Sequence, residues 1–355
     1  MQVGPILTIA SRAHPYAVDV LGSLQEALRS EDGRKSLFLV DAVVLALYPD
    51  AFAGLESRIV QVHATEEQKS LEQLTPLVCE VIGAGFRRDS TLVVVGGGVV
   101  QDIGCFIASV LFRGVRWVLV PTTLLAQCDS CIGSKSCLNV GPYKNQLGTF
   151  YPPHAVHLVF EVLGTLPPDE LRSGLGEVVK LHLVEGPDAV AWLEACLAGP
   201  WKNRLPELIV AALVIKKRFI EVDELDRGPR NLLNYGHTFG HAFESATQFA
   251  IPHGIAVTLG MLAATSFSEE LGMVPPGTRA GLDLLLRPLY TPYERTVVSA
   301  DPQAIYRAMK QDKKNEGDDV ICILTEGPGA MRKVRLSAEN QVFPMLSRFL
   351  RSLVP

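Results

Sequence analysis

Short apolar runs and helically spaced apolar positions take turns along the first part of the chain. "SLFLVDAVV" (36–44) and "SRIVQVHA" (57–64) predict buried strands. "TEEQKSLEQLTPLVCEVIGAGF" (65–86) opens on acidic residues and spaces Leu71, Leu74, Leu77, Val78, Val81 and Ile82 as a helix does. "STLVVVGGG" (90–98) predicts a strand that stops on three glycines, "VVQDIGCFIASVLFRG" (99–114) a helix, and "VRWVLVPTT" (115–123) the next strand. Strands alternating with helices predict an α/β domain with a parallel sheet.

Past residue 165 the pattern becomes helical. "PPDELRSGLGEVVKLHLVEG" begins with a Pro-Pro-Asp helix entry, and helical patterns follow over 187–198, 204–221, 231–248, 252–271, 302–313 and 339–353. Only "DDVICILTEG" (318–327) alternates like a strand. The reading is two domains, an α/β domain over 1–165 and a mainly helical one over 166–355, with the boundary falling in 160–168.

A length of 355 residues suits two cores rather than one. Apolar residues at 48% and charged residues at 20% describe a soluble globular protein. The net charge is −5 and no Lys/Arg run forms a polyanion tract, so a nucleic-acid partner is not expected. No segment reaches the roughly 18 apolar residues that span a bilayer. The opening "MQVGPILTIASRAHPYAVDV" lacks the charged-then-apolar pattern of a signal peptide, and seven cysteines read as free thiols, so a cytoplasmic setting is expected. Cys128 and Cys131 make one CxxC with no second, which argues against a structural zinc knuckle.

Four places carry candidate chemistry. Gly96, Gly97 and Gly98, between strand and helix, suit a phosphate cradle, although a ligand-free tight turn gives the same pattern. The stretch 120–153 is polar, punctuated by glycine and bracketed by apolar runs; it bears Asp129, Lys135, Asn139, Lys144 and Asn145, groups suited to phosphate and hydroxyls. Glu177 and Lys180 are three apart on one helix among Leu175, Val178, Val179 and Leu181; a surface ion pair fits those surroundings less well than a buried carboxylate with a metal or paired charge. His237, His241 and His253 fall within "NLLNYGHTFGHAFESATQFAIPHG" (231–254). Spacing alone makes His237 and His241, one helical turn apart, metal ligands with Glu177 and leaves His253 open.

In this order, "GGGVVQDIGCFIASVLFRG", "VPTTLLAQCDS", "GSKSCLN", "KNQLGTFYPP", "RSGLGEVVK", "RNLLNYGHTFGHAFE" and "HGIAVTLGM" resemble the 3-dehydroquinate synthase and wider sugar phosphate cyclase family, from residue 36 to 315. The resemblance implies an N-terminal Rossmann-like NAD domain, a C-terminal mainly α-helical metal-binding domain, a cytoplasmic homodimer, and NAD with Zn²⁺ or Co²⁺. It reassigns the histidines: Glu177, His237 and His253 become the ligands and His241 a catalytic, phosphate-contacting residue. The NAD side falls on Asp41, Glu66, Lys69, Gly96, Gly97, Gly98, Asp102, Thr122, Thr123 and Lys144. The substrate side falls on Arg113, Asp129, Lys135, Asn145, Lys180, Lys216, Arg230 and Asn234, with Lys313 or Lys314 as one more cation and Asp226 at a position usually filled by glutamate. The implied reaction oxidises a secondary alcohol of a sugar phosphate transiently with NAD, eliminates phosphate, returns the hydride and closes a carbocycle by an intramolecular aldol.

The chain departs from the family pattern at several positions. Gln101 stands where a glycine usually follows the glycine run, "GSKSCLN" replaces "GGKTGVN" through Ser134, Ser136 and Cys137, and Ala42, Val43 and Val44 stand where an asparagine is often found. Lys216 and Arg230 match positions that hold a substrate carboxylate in 3-dehydroquinate synthases. Burying both cations without an anion would be costly, so a carboxylated substrate, 3-deoxy-arabino-heptulosonate 7-phosphate, is expected. The alternatives are a sibling cyclase acting on another heptulose or hexose phosphate (valiolone- or deoxy-inosose-type), a metal-dependent polyol dehydrogenase, and a scaffold that kept the fold. The phosphate-binding lysines speak against the dehydrogenase, and the complete charged set against the scaffold.

Overall fold

The alternating runs of the first part form one sheet of seven strands. In chain order, β1 (Leu7–Ile9) and β2 (Tyr16–Val20) precede α1 (Leu24–Asp32); β3 (Ser36–Asp41) runs into α2 (Ala42–Leu47). Then come β4 (Ile59–Val62), α3 (Leu71–Gly83), β5 (Thr91–Gly96), α4 (Gly98–Val110) and β6 (Arg116–Pro121). The short hairpin of β7 (Leu138–Val140) and β8 (Tyr143–Leu147) precedes β9 (Ala155–Leu158). The order across the sheet is β1-β2-β9-β6-β5-β3-β4, parallel throughout except for β1 at its edge. The computed structural model describes residues 5–32, 35–141, 143–311, 315 and 319–353.

The strands are apolar at every position because both faces are covered. Phe38, Val40, Val93, Val95 and Val120 pack with Leu24, Ala27 and Leu28 of α1 in one core. On α4, Gly104 lies so close to Val94 that a Cβ there would overlap the valine side chain. Strand order reverses beside β3: the chain steps outward to β4, then resumes on the other side with β5, β6 and β9. The carboxyl ends of β3 and β5 therefore flank a topological switch point, the place where open α/β sheets bind ligands.

The remaining helices are α5 (Pro168–Glu185), α6 (Pro187–Leu197), α7 (Leu205–Val222), α8 (His237–Ala246), α9 (His253–Glu270), α10 (Thr278–Tyr290), α11 (Glu294–Ser299) and α12 (Pro302–Lys310). The hairpin of β10 (Asp319–Thr325) and β11 (Met331–Ser337) and then α13 (Phe343–Leu353) complete the chain. Two compact units result, Met1–Pro167 with Lys216–Asp226, and Pro168–Ile215 with Arg227–Pro355, so that the division falls within α7. In the second unit α9 is buried from Gly254 to Ser268, the mark of a central helix. No helix among the described residues is long and apolar enough to cross a membrane.

The pattern of the sequence misplaces several boundaries. The helix expected over 65–86 starts at Leu71, after a 3-10 turn at Glu66–Gln68. The pattern over 231–248 breaks at Gly236, whose φ of +80° ends a 3-10 turn (Pro229–Asn234) and starts α8. α1, α10, α11, β1, β2 and β11 were not expected. β11 is a half-exposed partner of β10 rich in basic residues, so its alternation is faint.

Glycines set the helix spacing in the second unit. A Cβ on Gly254 of α9 would overlap the Ser173 carbonyl of α5, and one on Gly176 of α5 would stand 2.5 Å from the Gly254 carbonyl. A Cβ on Gly260 would overlap the Gly236 carbonyl, and one on Gly240 of α8 would lie 3.0 Å from Ala256. A Cβ on Gly281 of α10 meets nothing within 4 Å. Gly254→Ala is therefore expected to destabilise by roughly 1–3 kcal/mol through overpacking, while Gly281→Ala holds or gains stability by about 0.5–1 kcal/mol. Thermal denaturation of both variants measures the contrast.

Candidate functional site

In the first unit the candidates gather at the carboxyl ends of the strands. Asp41 ends β3, Gly96 ends β5, Thr122 and Thr123 follow β6, and Glu66 and Lys69 follow β4. Asp41 caps α2 by accepting from the Val43 N–H at 2.9 Å. Burial raises its pKa, and the Val43 N–H and His63 only partly offset this. Gly97 is required by Thr123, whose Cγ2 would be 2.7 Å from a Cβ, and Gly96 by Val100 at 2.6 Å. A Cβ on Gly98 would meet nothing within 4 Å, so the open side of the turn is the side away from the protein core. That geometry, at a helix start with N–H groups facing outward, suits a pyrophosphate.

A buried polar network adjoins the turn. Lys69 Nζ lies 2.7 Å from Asp102 Oδ2 and donates to Asn145 Oδ1 at 3.3 Å. Burial works against its charge, but Asp102 and Glu66 outweigh it and raise the pKa. Asn139 donates to Glu66 at 3.0 Å and accepts from the Asn145 N–H at 3.0 Å, while Lys144 lies 3.7 Å from Glu66. Asn145, assigned to substrate, thus shares one network with the NAD candidates. Asn139 joins the two sets and was missed as a site residue; its place two residues beyond a cysteine–leucine pair gives no signal of that role.

The segment after β6 holds two further ion pairs. Lys216 pairs with the Asp129 carboxylate and donates to the Asp129 carbonyl at 2.6 Å; Lys135 pairs with Asp226. This corrects the argument from sequence that buried Lys216 needs a substrate anion, because its anion is Asp129. Arg113 is not brought to these residues. It is exposed, and it precedes Arg116, which pairs with Thr91 at the amino end of β5, the opposite end of the sheet from Gly96. Cys131 is buried, and burial pushes its thiol up to about 12, the state of an inert core cysteine.

In the second unit Glu177, Lys180, His237, His241 and His253 converge. The three histidines offer ring nitrogens that all lie within 4.8 Å of one another. Glu177 Oε1 is 3.4 Å from His253 Nε2 and 3.7 Å from His237 Nε2; its other oxygen meets Lys180 Nζ. The Glu177–Lys180 pair is buried, not the surface pair that its spacing alone allows. Neither Glu177 oxygen takes part in a well-formed hydrogen bond, which leaves a buried carboxylate facing two imidazoles.

Second contacts aim these rings. His253 Nδ1 lies 3.0 Å from Glu244 Oε2 and His237 Nδ1 lies 3.3 Å from the Tyr235 carbonyl. Both acceptors call for N–H at Nδ1 and leave the Nε2 lone pairs toward Glu177, the arrangement of metal-ligating histidines. Burial disfavours a charged ring at His253, but Glu244 and Glu177 outweigh it and raise its pKa to about 10. Burial likewise raises Glu177, yet Lys180 and His253 hold it well below the usual carboxylate range. The local field thus favours a cation at these nitrogens, and the donor set of carboxylate and imidazoles fits a divalent metal. Glu244 was missed from sequence, although it lies seven residues past His237 on α8 and so on the same face.

Arg230 is buried, and Asn234 donates to the Asn231 carbonyl at 3.0 Å. Lys313 and Lys314 lie outside the described residues.

Fold and site together define a sugar phosphate cyclase: an NAD-type parallel sheet with a helical metal-binding unit. Models of the 3-dehydroquinate synthase N-terminal and C-terminal domains match residues 59–173 and 174–315. A 3-dehydroquinate synthase of Rhizobium rhizogenes is 36% identical over 311 residues, covering 84% of this chain and 82% of that one. The chain belongs to the 3-dehydroquinate synthase family, enzymes that depend on NAD and a metal and act as phosphate-eliminating carbon–oxygen lyases. A 2-deoxy-scyllo-inosose synthase solved with carbaglucose-6-phosphate, NAD⁺ and Co²⁺ shares the fold at a TM-score of 0.83 and 23% identity, covering 96% of this chain and 99% of that one. The 2-epi-5-epi-valiolone synthase of Streptomyces hygroscopicus subsp. jinggangensis, solved with NAD⁺ and Zn²⁺, gives 0.80 at 25% identity, covering 99% of each.

Replacing Glu244 by glutamine removes the charge that orients His253. Metal affinity is expected to fall about 10–100-fold, read by chelator competition; an unchanged affinity would show that Glu244 does not act on the metal through His253.

Proposed function

We propose that the chain converts 3-deoxy-arabino-heptulosonate 7-phosphate to 3-dehydroquinate and phosphate, through transient oxidation, elimination, reduction and intramolecular aldol closure. The observation that carries this reading is the convergence of Glu177, Lys180, His237, His241 and His253 in a chain of this family. The first unit would hold NAD through Asp41, Glu66, Lys69, Gly96, Gly97, Gly98, Asp102, Thr122, Thr123 and Lys144. The second would supply Glu177, His237 and His253 to a divalent metal, Zn²⁺ or Co²⁺. When bound, NAD and metal supply hydride acceptance and return and Lewis acidity at the reacting oxygen.

The side chains do the rest. Lys135, Asn145, Lys180, Arg230 and Asn234 bind the phosphate and hydroxyls of the sugar. Lys216 and Asp129 orient the carboxylate end as a pair, and Asp226 holds Lys135. His241 moves a proton at its imidazole nitrogen, a role that suits a ring without the Glu177 and Glu244 contacts held by His253. Arg113, at the far end of the sheet beside half-exposed Phe112 and Val110, would reach substrate only from a second copy, which supports a homodimer. Free cysteines support a reducing, cytoplasmic setting.

Purified protein with NAD and Zn²⁺ is expected to release phosphate from 3-deoxy-arabino-heptulosonate 7-phosphate with no net NADH, in preference to sedoheptulose 7-phosphate and glucose 6-phosphate. Release from one of the other sugars alone would make this a sibling cyclase, and accumulating NADH a dehydrogenase. His241→Ala is expected to keep its metal, measured by elemental analysis, while turnover falls about 10²–10⁴-fold. Loss of the metal in that variant would return His241 to the ligand set.

A further inference from the structure

Two of the positions where glycine is usual in the family carry side chains whose bonds converge on one segment. Gln101, near the start of α4, is buried, and its amide pairs twice with one residue: Nε2 donates to the Ser130 carbonyl at 2.6 Å, and Ser130 Oγ donates to Oε1 at 2.7 Å. Ser134 takes a left-handed backbone, φ +66°, which glycine adopts freely and serine does not. Its hydroxyl donates to Glu224 Oε1 at 2.6 Å. Glu224 is itself buried and fixed by Ser11 Oγ at 2.6 Å and the Arg12 N–H at 2.8 Å. Between and beside these two anchors lie Asp129, paired with Lys216, and Lys135, paired with Asp226.

We infer that Gln101 and Ser134 are positioning residues that clamp the segment from Asp129 to Lys135 at both ends and so set where its carboxylate and ammonium meet substrate. The role in substrate binding rests on the reading of Asp129 and Lys135 given above; the clamp itself does not. Glycine at either position removes all the side-chain bonds that hold that end. The segment follows β6 directly and includes a π-helical turn, Ala126–Ser130, a wide turn that relies on such outside bonds to keep one geometry. A glutamine bonded to both the carbonyl and the hydroxyl of Ser130 fixes the residue next to Asp129, and the Ser134–Glu224 bond fixes the residue next to Lys135.

The test restores glycine in Q101G and S134G, with S130A as a milder variant that removes one hydroxyl and leaves the helix intact. Hydrogen exchange of the amides of 128–136 in NAD-loaded protein reads the clamp. Steady-state kinetics with the sugar phosphate and NAD titration read its consequence. Exchange is expected to quicken about tenfold in Q101G and S134G and less in S130A. KM for the sugar phosphate is expected to rise about tenfold with kcat within about twofold and NAD affinity unchanged. Unchanged exchange would overturn the clamp. Faster exchange with KM unchanged would overturn its role in substrate binding, and a matching loss of NAD affinity would assign Gln101 to the cofactor cradle instead. A wild-type protein that does not turn over the sugar phosphate would defeat the proposed reaction, while the exchange measurement would still decide the clamp.

Discussion

Backbone-to-backbone approach of three helices is the constraint on which the metal site depends. α5, α8 and α9 meet where Gly176, Gly236, Gly240, Gly254 and Gly260 leave no room for a Cβ. Each candidate side chain is the immediate neighbour of one of these glycines: Glu177 of Gly176, His237 of Gly236, His241 of Gly240 and His253 of Gly254. A residue next to a helix contact points beside that contact, so the closest approach of the backbones aims four polar side chains into one small volume. With larger residues at the contacts, helix axes spread by ångströms, and ligand atoms would part by as much. Ser173 adds to the same junction by accepting from the Gly254 N–H at 2.9 Å, which satisfies the first turn of α9.

The first unit reaches a comparable result by topology instead of helix packing. Reversal of strand order beside β3 opens a crevice at the strand ends, and every NAD candidate sits on a turn that leaves one of those ends. Close packing fills one side of the glycine turn, since Val100 and Thr123 occupy the space that Cβ atoms on Gly96 and Gly97 would need. Gly98 keeps its side open, which a turn built for packing alone would not need.

How much was legible in the sequence follows from the same physics. Strands buried on both faces write themselves as unbroken apolar runs, and β3, β5 and β6 were read that way. β1 and β2 are short, and β11 is half-exposed and basic, so the pattern gave them no mark. The histidines and Glu177 stood out by residue type in apolar company. Which ring nitrogen each histidine presents was not legible, because it is fixed by the Tyr235 carbonyl and by Glu244, and a backbone carbonyl has no letter in a sequence. Nor was the partner of Lys216, which lies 87 positions away in chain order. The resemblance to known cyclases supplied roles that spacing left open, and it was silent where this chain departs from its relatives, at Gln101 and Ser134.

Pairing changes what the lysines of the site mean. Lys69 meets Asp102, Lys135 meets Asp226, Lys144 approaches Glu66, Lys216 meets Asp129 and Lys180 meets Glu177. An unpaired buried charge costs several kcal/mol, and removing one member of a buried pair typically costs about 3–5 kcal/mol. The carboxylates thus make it possible to keep this many ammonium groups in place before any anion arrives, and they let a chain of net charge −5 carry a site for anions. An anionic substrate entering such a site does not fill an empty positive hole; it exchanges with a carboxylate for its cation. Affinity then comes from the difference between two pairings, so the position of each carboxylate matters as much as that of each lysine. Asp226, one methylene shorter than the glutamate usual at its place and held at φ +55°, sets that difference for Lys135.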